Sequence, residues 1–306
     1  MTDPANPDPA RSFGGVADSY DRGRPSYPTA AVKWLVGAES CSVLELGAGT
    51  GKLTEVLVGL GHDVFATDPD DAMLDILSGK LPDVRATSGT AEQIPTGDSL
   101  YDVVVVGQAF HWFDHTKALA EIARVLKSEG RLAIIQNDRD NRIPWVRRLG
   151  DLLGHLDHDF DHAETLDDSG LFSAVESQTF RHWQVVDRRT IQDLAVSRSN
   201  IASLEPEAQE RKRREVLAFY DAYGRGMDGM QLPYNCRAWH AQVLPHAQVV
   251  STGSTTGARE VDGADERDDA DGPAVPLAKR TDTAVRLPRV VTDPDNGDDD
   301  LLIDFR

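Results

Sequence analysis

The sequence predicts an α/β fold in which helices cover both faces of a doubly wound, mainly parallel sheet. Three observations lead to this prediction: the short apolar run Ser42–Leu46, the glycine-rich turn after it, and a helical pattern from Leu53 to Leu60. Further strand-length apolar runs then alternate with amphipathic helical patterns, which is typical of parallel sheets built from strand–helix–strand units.

Composition limits the kinds of partner that we expect. The chain has 306 residues and a net charge of −19, which disfavours a nucleic-acid backbone as partner. Its longest apolar run, near 103–106, is far shorter than the roughly 20 residues of a membrane span. Residues 1–4 show no signal-peptide pattern, and Cys41 and Cys236 provide neither a disulfide framework nor metal-ligand spacing. We therefore expect a cytoplasmic protein without a metal.

The N-terminal region precedes the first strand. Residues 1–12 are rich in Pro, Asp and Ala and are expected to form a flexible tail. A short helix is predicted over 16–20, followed by a segment that prolines keep extended. Thr29–Val36 has the pattern of a helix that leads into the first strand.

The glycine-rich turn carries the strongest functional signal. Gly47, Gly49 and Gly51 occupy alternate positions after the acidic Glu45, whereas a dinucleotide fingerprint would require glycine where Lys52 stands. Glycine permits positive φ and lets a ligand approach the backbone. The pattern resembles the E/D-x-G-x-G-x-G motif of class I S-adenosylmethionine-dependent methyltransferases. A tight structural turn without a ligand is the alternative.

The residues before the first predicted helix also resemble this family. Tyr20, Arg24 and Tyr27 are similar to the N-terminal lid of one methyltransferase subgroup, in which a tyrosine and an arginine close over the cofactor. The alternative is a loop that packs its two tyrosines on the core.

The second predicted strand, Asp63–Asp68, ends in an acid that lies 19 residues after Gly49. A carboxylate in this position of a Rossmann-like sheet accepts hydrogen bonds from both ribose hydroxyls. The alternative for Asp68 is the N-cap of a helix that starts at Asp71. Met73 lies in the first turn of that helix, where the resemblance implies packing on adenine or ribose and where core packing is equally reasonable.

A third strand is predicted over 84–88, and the segment after it resembles the G-x-A-E-x-L-P sequence of the family. The resemblance implies that Ala91 and Glu92 hold the adenine edge, although Glu92 also fits an ordinary surface acid.

The fourth strand, 103–106, is an unbroken β-branched run and is expected to be fully buried. Gln108, His111 and Trp112 follow its carboxyl end, where open α/β sheets bind ligands. The sequence A-x-H-W-F resembles a subgroup of small-molecule methyltransferases. His111 is a candidate base for an acceptor hydroxyl or amine, and a purely structural hydrogen bond is its alternative role.

The remaining periodic segments complete the predicted domain. Helices are expected over 116–127, 144–156, 190–197 and 207–223, and strands over 131–136, 175–186 and Met230–Gln242. The resemblance covers 13–136 and implies a seven-stranded sheet with an antiparallel last strand. We expect a methyltransferase domain at 13–245, with cofactor-binding residues at 13–136 and a substrate cover and last strands at 137–245. His155, His158 and His162 are expected in a solvated acidic loop rather than at a metal.

The composition changes near the C-terminus. Residues 251–306 contain 14 acidic and 7 basic residues without a sustained amphipathic period. We expect a disordered acidic tail at 246–306. The apolar residues at 301–305 are expected to be unstructured, with a short docking peptide as the alternative.

The resemblance implies methyl transfer from S-adenosylmethionine to a small-molecule acceptor. It assigns the methionine end of the cofactor to the glycine-rich motif, namely Glu45, Gly47, Ala48, Gly49 and Gly51. It further assigns to cofactor binding Asp68, Met73, Ala91, Glu92, Gln108, Tyr20 and Arg24. A catalytically silent cofactor-binding module and a nicotinamide-dependent oxidoreductase are the alternatives. The sequence does not indicate the attacking atom or the oligomeric state.

Overall fold

The computed structural model describes residues 17–154, 162–223, 229–245 and 247. The predicted N-terminal tail, His155, His158 and almost all of the predicted acidic tail at 246–306 lie outside the described residues.

Seven strands form one sheet. They are β1 Ser42–Leu46, β2 Asp63–Asp68, β3 Arg85–Ser88, β4 Tyr101–Gly107, β5 Leu126–Arg139, β6 Glu176–Val186 and β7 Met230–Gln242. Their spatial order is β3-β2-β1-β4-β5-β7-β6. The first five strands pair in parallel, and β7 runs antiparallel to both of its neighbours. The predicted fold class, a doubly wound and mainly parallel seven-stranded sheet, is confirmed.

Ten α-helices surround the sheet in the described part of the chain. They are α1 Ala17–Gly23, α2 Thr29–Val36, α3 Lys52–Gly59, α4 Asp71–Lys80, α5 His115–Val125, α6 Pro144–Leu153, α7 His162–Ser169, α8 Thr190–Val196, α9 Ser199–Ala202 and α10 Pro206–Tyr223. None of these described helices is long and apolar enough to cross a membrane.

The central strands contribute to cores on both faces of the sheet, because successive side chains point to opposite faces. On one face, Val43 of β1 packs in the same cluster as Leu57 of α3. On the other face, the next residue, Leu44, packs with Leu119 of α5. Strands that are buried on both sides must be continuously apolar, which explains the unbroken valine run of β4.

His162 corrects one expectation from the sequence. It is buried at the start of α7, a helix that the sequence analysis missed, and therefore does not lie in a solvated loop. Its Nε2 atom lies 3.0 Å from Oε1 of Gln136, and its ring makes edge contacts with Phe110 and Trp239. All of these partners are distant in sequence, so the local acidic composition did not predict the burial.

A second layer of helices covers the carboxyl end of the sheet. Helices α6, α8, α9 and α10 share an apolar cluster with the end of β6 and the start of β7. Helix α1 packs on α8, where Nε of Arg22 donates to Oδ2 of the buried Asp193 over 2.8 Å. The N-terminal segment is therefore fixed to the cover.

The close contact of α1 with α8 gives a stability prediction. A Cβ atom at Gly23 would lie 2.4 Å from the backbone nitrogen of Leu194, so Gly23→Ala should lower the free energy of unfolding by about 1–3 kcal/mol. Gly79, in the last turn of α4, has open space at its Cβ position, and Gly79→Ala should raise that free energy by about 0.4–1 kcal/mol. Urea unfolding of both variants checks the pair, and equal effects would contradict the close packing at Gly23.

Candidate functional site

Two adjoining chambers lie at the carboxyl ends of the parallel strands. The first chamber reaches Asp68, Met73, Ala91 and Glu92, and the second reaches Glu45, Asn137, Arg139 and Arg198. The residues that line both chambers are Tyr20, Arg24, Gly47, Gly49, Gly107, Gln108 and His111. The structure therefore brings together most of the site residues that the sequence predicted, around one shared centre.

The glycine-rich turn forms the floor of the shared centre. Gly47 and Gly49 have φ angles of 68° and 55°, which other residues adopt at a cost. A Cβ at Gly47 would lie 2.5 Å from Cβ of Ala109, whereas a Cβ at Gly49 would meet nothing within 4 Å. Open space above Gly49 is what a ligand that approaches this backbone requires. Ala48 lines the second chamber, and Gly51 lines neither chamber.

Asp68 ties the glycine turn to the end of β2. The backbone N–H of Gly49 donates to its Oδ2 over 2.8 Å, and the N–H of Asp70 donates to its Oδ1 over 2.9 Å. The N-cap of α4 is Asp70, which accepts from the N–H of Ala72, so the capping alternative for Asp68 is wrong. Burial raises the pKa of Asp68 to about 6, although both N–H donors oppose the shift. Its remaining lone pairs are available to a ligand in the first chamber.

Glu45 is a second buried carboxyl group, located at the end of β1. It is 1% exposed, and the hydroxyl of Thr54 donates to its Oε2 over 2.7 Å. Burial raises the pKa of Glu45 to about 8, because a single hydroxyl donor does not offset the loss of water around the charged form. Glu45 is therefore mainly protonated at neutral pH and can donate as well as accept.

The wall of the first chamber combines apolar and polar groups. Met73 and Ala91 are buried there, so Met73 contributes to the core and to the chamber at once. The half-buried Glu92 accepts from the backbone N–H of Asp114 over 2.9 Å, so it is not a freely solvated surface acid. An apolar face with one fixed acceptor suits a flat, partly polar ring.

Gln108 connects β4 to the shared centre in a strained conformation. Its φ angle is 61°, which is uncommon for a residue other than glycine. Its side-chain nitrogen donates to the carbonyl of Asn137 over 3.0 Å, and its backbone N–H donates to the carbonyl of Ile135. These two bonds hold the chain at the edge of both chambers. Strain that is fixed in this way is common at functional sites.

His111 and Trp112 lie in a short 3-10 turn after Gln108. Their ring centres are 4.7 Å apart. His111 lines both chambers, whereas Trp112 lines only the first and is 40% exposed. A proton acceptor at the junction of two chambers is well placed to serve a reaction between their occupants.

The segment around α1 covers both chambers. The Arg24 guanidinium donates to the hydroxyl and the carbonyl of Ser197 over 3.0 and 2.9 Å, and it lies 5.1 Å from the Tyr20 ring centre. Tyr27 is also part of the second chamber, and burial raises the pKa of its hydroxyl well above the usual value. Tyr27 therefore packs against the core and lines the second chamber at the same time.

Several site residues were not predicted from the sequence. Asn137 and Arg139 are among the last three residues of β5, which extends three residues beyond the predicted end. Arg198 precedes α9, and Tyr234 lies in β7 opposite Arg139. The polar run after the fifth strand was the available signal for the β5 residues, and nothing local indicated Arg198. No group of His, Cys, Asp and Glu side chains suited to a metal ion occurs among the described residues.

Comparisons with known proteins identify the family of the chain. The family model described as "Methyltransferase domain" matches residues 44–134. An uncharacterized methyltransferase of Mycobacterium tuberculosis strain H37Rv is 40% identical over 230 residues, covering 74% of this chain and 93% of the relative. An uncharacterized methyltransferase of Schizosaccharomyces pombe is 34% identical over 235 residues, with the same two coverages of 74% and 93%.

One solved structure shows the same fold. It is a crystal structure of a putative methyltransferase from an antibiotic biosynthesis pathway of Anabaena variabilis, with a TM-score of 0.51. Its sequence is 19% identical, and the match covers 70% of this chain and 95% of that chain. At this identity the match supports the fold alone.

The raised pKa of Glu45 predicts a pH-dependent stability. Between its ordinary value of 4.5 and about 8, the folded protein holds a proton on Glu45 that the unfolded chain has lost. The free energy of unfolding should therefore fall as pH rises through this window, by at most about 1.4 kcal/mol per pH unit. Glu45→Gln keeps an acceptor for Thr54 and should remove this part of the slope. Urea unfolding from pH 5 to 8.5 measures both proteins, and parallel slopes would contradict the assignment.

Proposed function

Since the chain belongs to the class I S-adenosylmethionine-dependent methyltransferase family, we propose that it transfers the methyl group of S-adenosylmethionine to a small-molecule acceptor. The observation that carries the proposal is the Asp68 carboxylate, held by the N–H groups of Gly49 and Asp70 at the wall of an open chamber. The residues of this corner fit the cofactor because the space above Gly49 is open and the carboxylate retains free lone pairs.

The first chamber is proposed to hold the adenosine. Asp68 would accept hydrogen bonds from the two ribose hydroxyls, each worth about 1.5–3 kcal/mol to a charged acceptor. Met73 and Ala91 offer apolar surface to the adenine ring, and Glu92 offers a fixed acceptor at its edge. Bound ribose donors would also favour the charged form of Asp68, which lowers its pKa from about 6.

The glycine turn and the second chamber are proposed to hold the methionine end. Backbone groups of Gly47, Ala48 and Gly49 face this space, and Glu45 lies behind them as a neutral acid. Tyr20 and Arg24 would complete the enclosure from above, since both line the two chambers. Gly51 contributes through the left-handed conformation that starts α3, with a φ angle of 83°.

The chemistry demands positioning more than activation. S-adenosylmethionine supplies a sulfonium-bound methyl group that is strongly electrophilic. The protein must hold an acceptor atom at the shared centre, and such orientation contributes about 7–11 kcal/mol to lowering a barrier. Gln108 and His111 belong to that centre, and His111 would take the proton that a hydroxyl or amine acceptor releases.

The domain organisation follows from the same assignment. We propose that 13–245 form the methyltransferase domain, with 13–136 binding the cofactor and 137–245 adding the cover and the last strands. The half 137–245 then adds the end of β5, Leu194 of α8 and Tyr234 of β7 to the second chamber. Arg139 and Arg198, which line the second chamber, come from this half.

Calorimetric titration of the purified chain with S-adenosylmethionine, S-adenosylhomocysteine and NAD tests the cofactor. Binding of the first two ligands without NAD is the expected result and leads to an acceptor screen with a labelled methyl donor. Binding of neither ligand by a folded protein would overturn the proposal. Cofactor binding without transfer to any acceptor would favour the silent binding module.

Asp68→Ala should weaken binding of S-adenosylhomocysteine by about tenfold or more, since each 1.4 kcal/mol lost is a factor of ten. Asp70→Ala is the matched control. It removes the cap of α4 at a cost of about 0.5–2 kcal/mol in stability, but Asp70 lines neither chamber. Calorimetry and urea unfolding separate the two effects. Equal losses of affinity in both variants would place the role of Asp68 in folding rather than in binding.

His111→Gln should lower kcat by about 10²-fold or more if His111 accepts the acceptor's proton, while the affinity for S-adenosylhomocysteine stays within about twofold. The measurement is steady-state transfer of labelled methyl over pH 5.5–9. The variant should lose the rise of kcat with pH that a titrating base produces in the parent. An unchanged pH profile would reduce His111 to a structural residue.

A further inference from the structure

Three arginines from separate parts of the chain converge on the second chamber. Arg24 follows α1, Arg139 ends β5, and Arg198 lies between α8 and α9. They are close enough to influence one another, since Arg139 and Arg24 both oppose protonation of Arg198. This arginine cluster, defined as Arg24, Arg139 and Arg198, is unexpected in a chain with a net charge of −19.

Two members of the arginine cluster each have a buried N–H donor without a hydrogen-bond acceptor in the described part of the chain. The Nε atoms of Arg139 and Arg198 are both buried, and neither has a hydrogen-bond partner within the described residues. Arg198 is 3% exposed, and its Nη2 donates to the carbonyl of Gly154 over 2.8 Å. A buried guanidinium without a counter-charge is costly, and such groups in proteins are normally paired. A missing partner at this place therefore indicates a ligand.

The nearby carboxyl groups do not neutralise the arginine cluster. Glu45 shares the chamber but is mainly protonated at neutral pH, since burial raises its pKa to about 8. Asp138 also lines the chamber, but its Oδ2 accepts from Nε of Arg237 over 2.6 Å and its Oδ1 accepts from Gln136. Burial, Arg139 and Arg24 together lower the pKa of Arg198 to about 9. The guanidinium therefore stays protonated at neutral pH, and an added negative charge would stabilise this charged form.

We propose that the methyl acceptor is a small oxyanion whose carboxylate or phosphate group binds to Arg139 and Arg198. This inference rests on the proposed function and names the substrate class of the same site. Arginine presents a planar set of donors that matches the oxygens of carboxylate and phosphate in pairs. The second chamber also contains Gln108 and His111, so an acceptor held by its anionic end can extend toward the shared centre. The acceptor would form a bond to the methyl carbon while the sulfur–methyl bond breaks, and the electron pair of that bond stays on the sulfur of the released S-adenosylhomocysteine. A hydroxyl or amine acceptor would also lose a proton, which His111 would take.

A competing assignment gives the whole arginine cluster to the carboxylate of the cofactor's own methionine end. Arg24 is shared by both chambers and fits that role. Arg139 and Arg198 line the second chamber only. Loss of Arg139 or Arg198 should therefore weaken cofactor binding under the competing assignment. Under the proposed assignment it should weaken only anion binding.

The first test measures anion binding to the full chain saturated with S-adenosylhomocysteine. Citrate and inorganic phosphate are titrated by calorimetry against chloride at equal ionic strength. Saturable binding of at least one anion is expected, and Arg139→Gln and Arg198→Gln should each weaken it by tenfold or more. The matched control is Arg181→Gln, which removes an exposed positive charge on β6 outside both chambers and should change nothing.

Cofactor affinity separates the possible failures. If S-adenosylhomocysteine does not bind the parent protein, the proposed function fails. If it binds but no anion does, only the oxyanion inference fails. If Arg139→Gln weakens S-adenosylhomocysteine tenfold but leaves the affinity for 5′-methylthioadenosine, which lacks the amino-acid part, unchanged, the arginines serve the cofactor and the inference is overturned.

Stability gives a second readout. Without added anion, Arg139→Gln removes a positive charge whose buried Nε has no partner among the described residues and which Arg24 repels, and burial already disfavours that charge, so the Tm of the variant should equal or exceed that of the parent. A Tm lower by more than a few degrees would show that Arg139 has a structural partner, and would overturn the inference.

The final arm is methyl transfer from a labelled donor to a panel of small acceptors. The panel pairs carboxylates with their amides and phosphates with their parent alcohols. Transfer only to charged members, with KM raised at least tenfold in Arg198→Gln, would support the oxyanion class, and the pairs distinguish carboxylate from phosphate. Equal transfer to the neutral members would overturn it.

Discussion

The hydrogen bond from the Gly49 N–H to the Asp68 carboxylate is the constraint on which the site depends. It joins the carboxyl ends of β1 and β2 through one 2.8 Å contact. The same carboxylate accepts from Asp70, so it also fixes the entry to α4. The left-handed glycines let the chain turn sharply enough to make these contacts. A single buried acid thus sets the floor of the site and presents its remaining lone pairs to the first chamber.

The two carboxyl groups at this corner have different pKa values because they differ in burial and in the hydrogen-bond donors around them. Asp68 has two backbone N–H donors, and its pKa rises only to about 6. Glu45 is more deeply enclosed and has one hydroxyl donor, so its pKa rises to about 8. At neutral pH the corner therefore contains one mainly charged acceptor and one mainly neutral acid. The two groups thus offer different hydrogen bonding to the two ends of a ligand that lies across both chambers.

Local patterns in the sequence were sufficient for the sheet and for one side of the site. The apolar runs of β1 and β2 and the glycine spacing depend on neighbouring residues, and the structure places Asp68 beside Gly49. The buried position of His162 was not predictable in this way, since its contacts with Gln136 and Trp239 join distant segments. The position of Arg198 in the site could not be predicted for the same reason. Residues of the cover meet the sheet only through tertiary packing, which leaves no periodic signal.

The net charge of the chain and the local charge of the second chamber affect different kinds of partner. A charge of −19 describes the average surface and disfavours a long polyanion as partner. Salt screens exposed charges beyond about 8 Å, so most acids of the chain have little effect inside an enclosed chamber. There the Nε donors of Arg139 and Arg198 that lack a described partner have the larger effect, because low polarity strengthens nearby interactions. Of the two described acids that line this chamber, Glu45 is mainly neutral and Asp138 is paired with Arg237. A small anion can therefore be attracted by a site that an acidic surface surrounds.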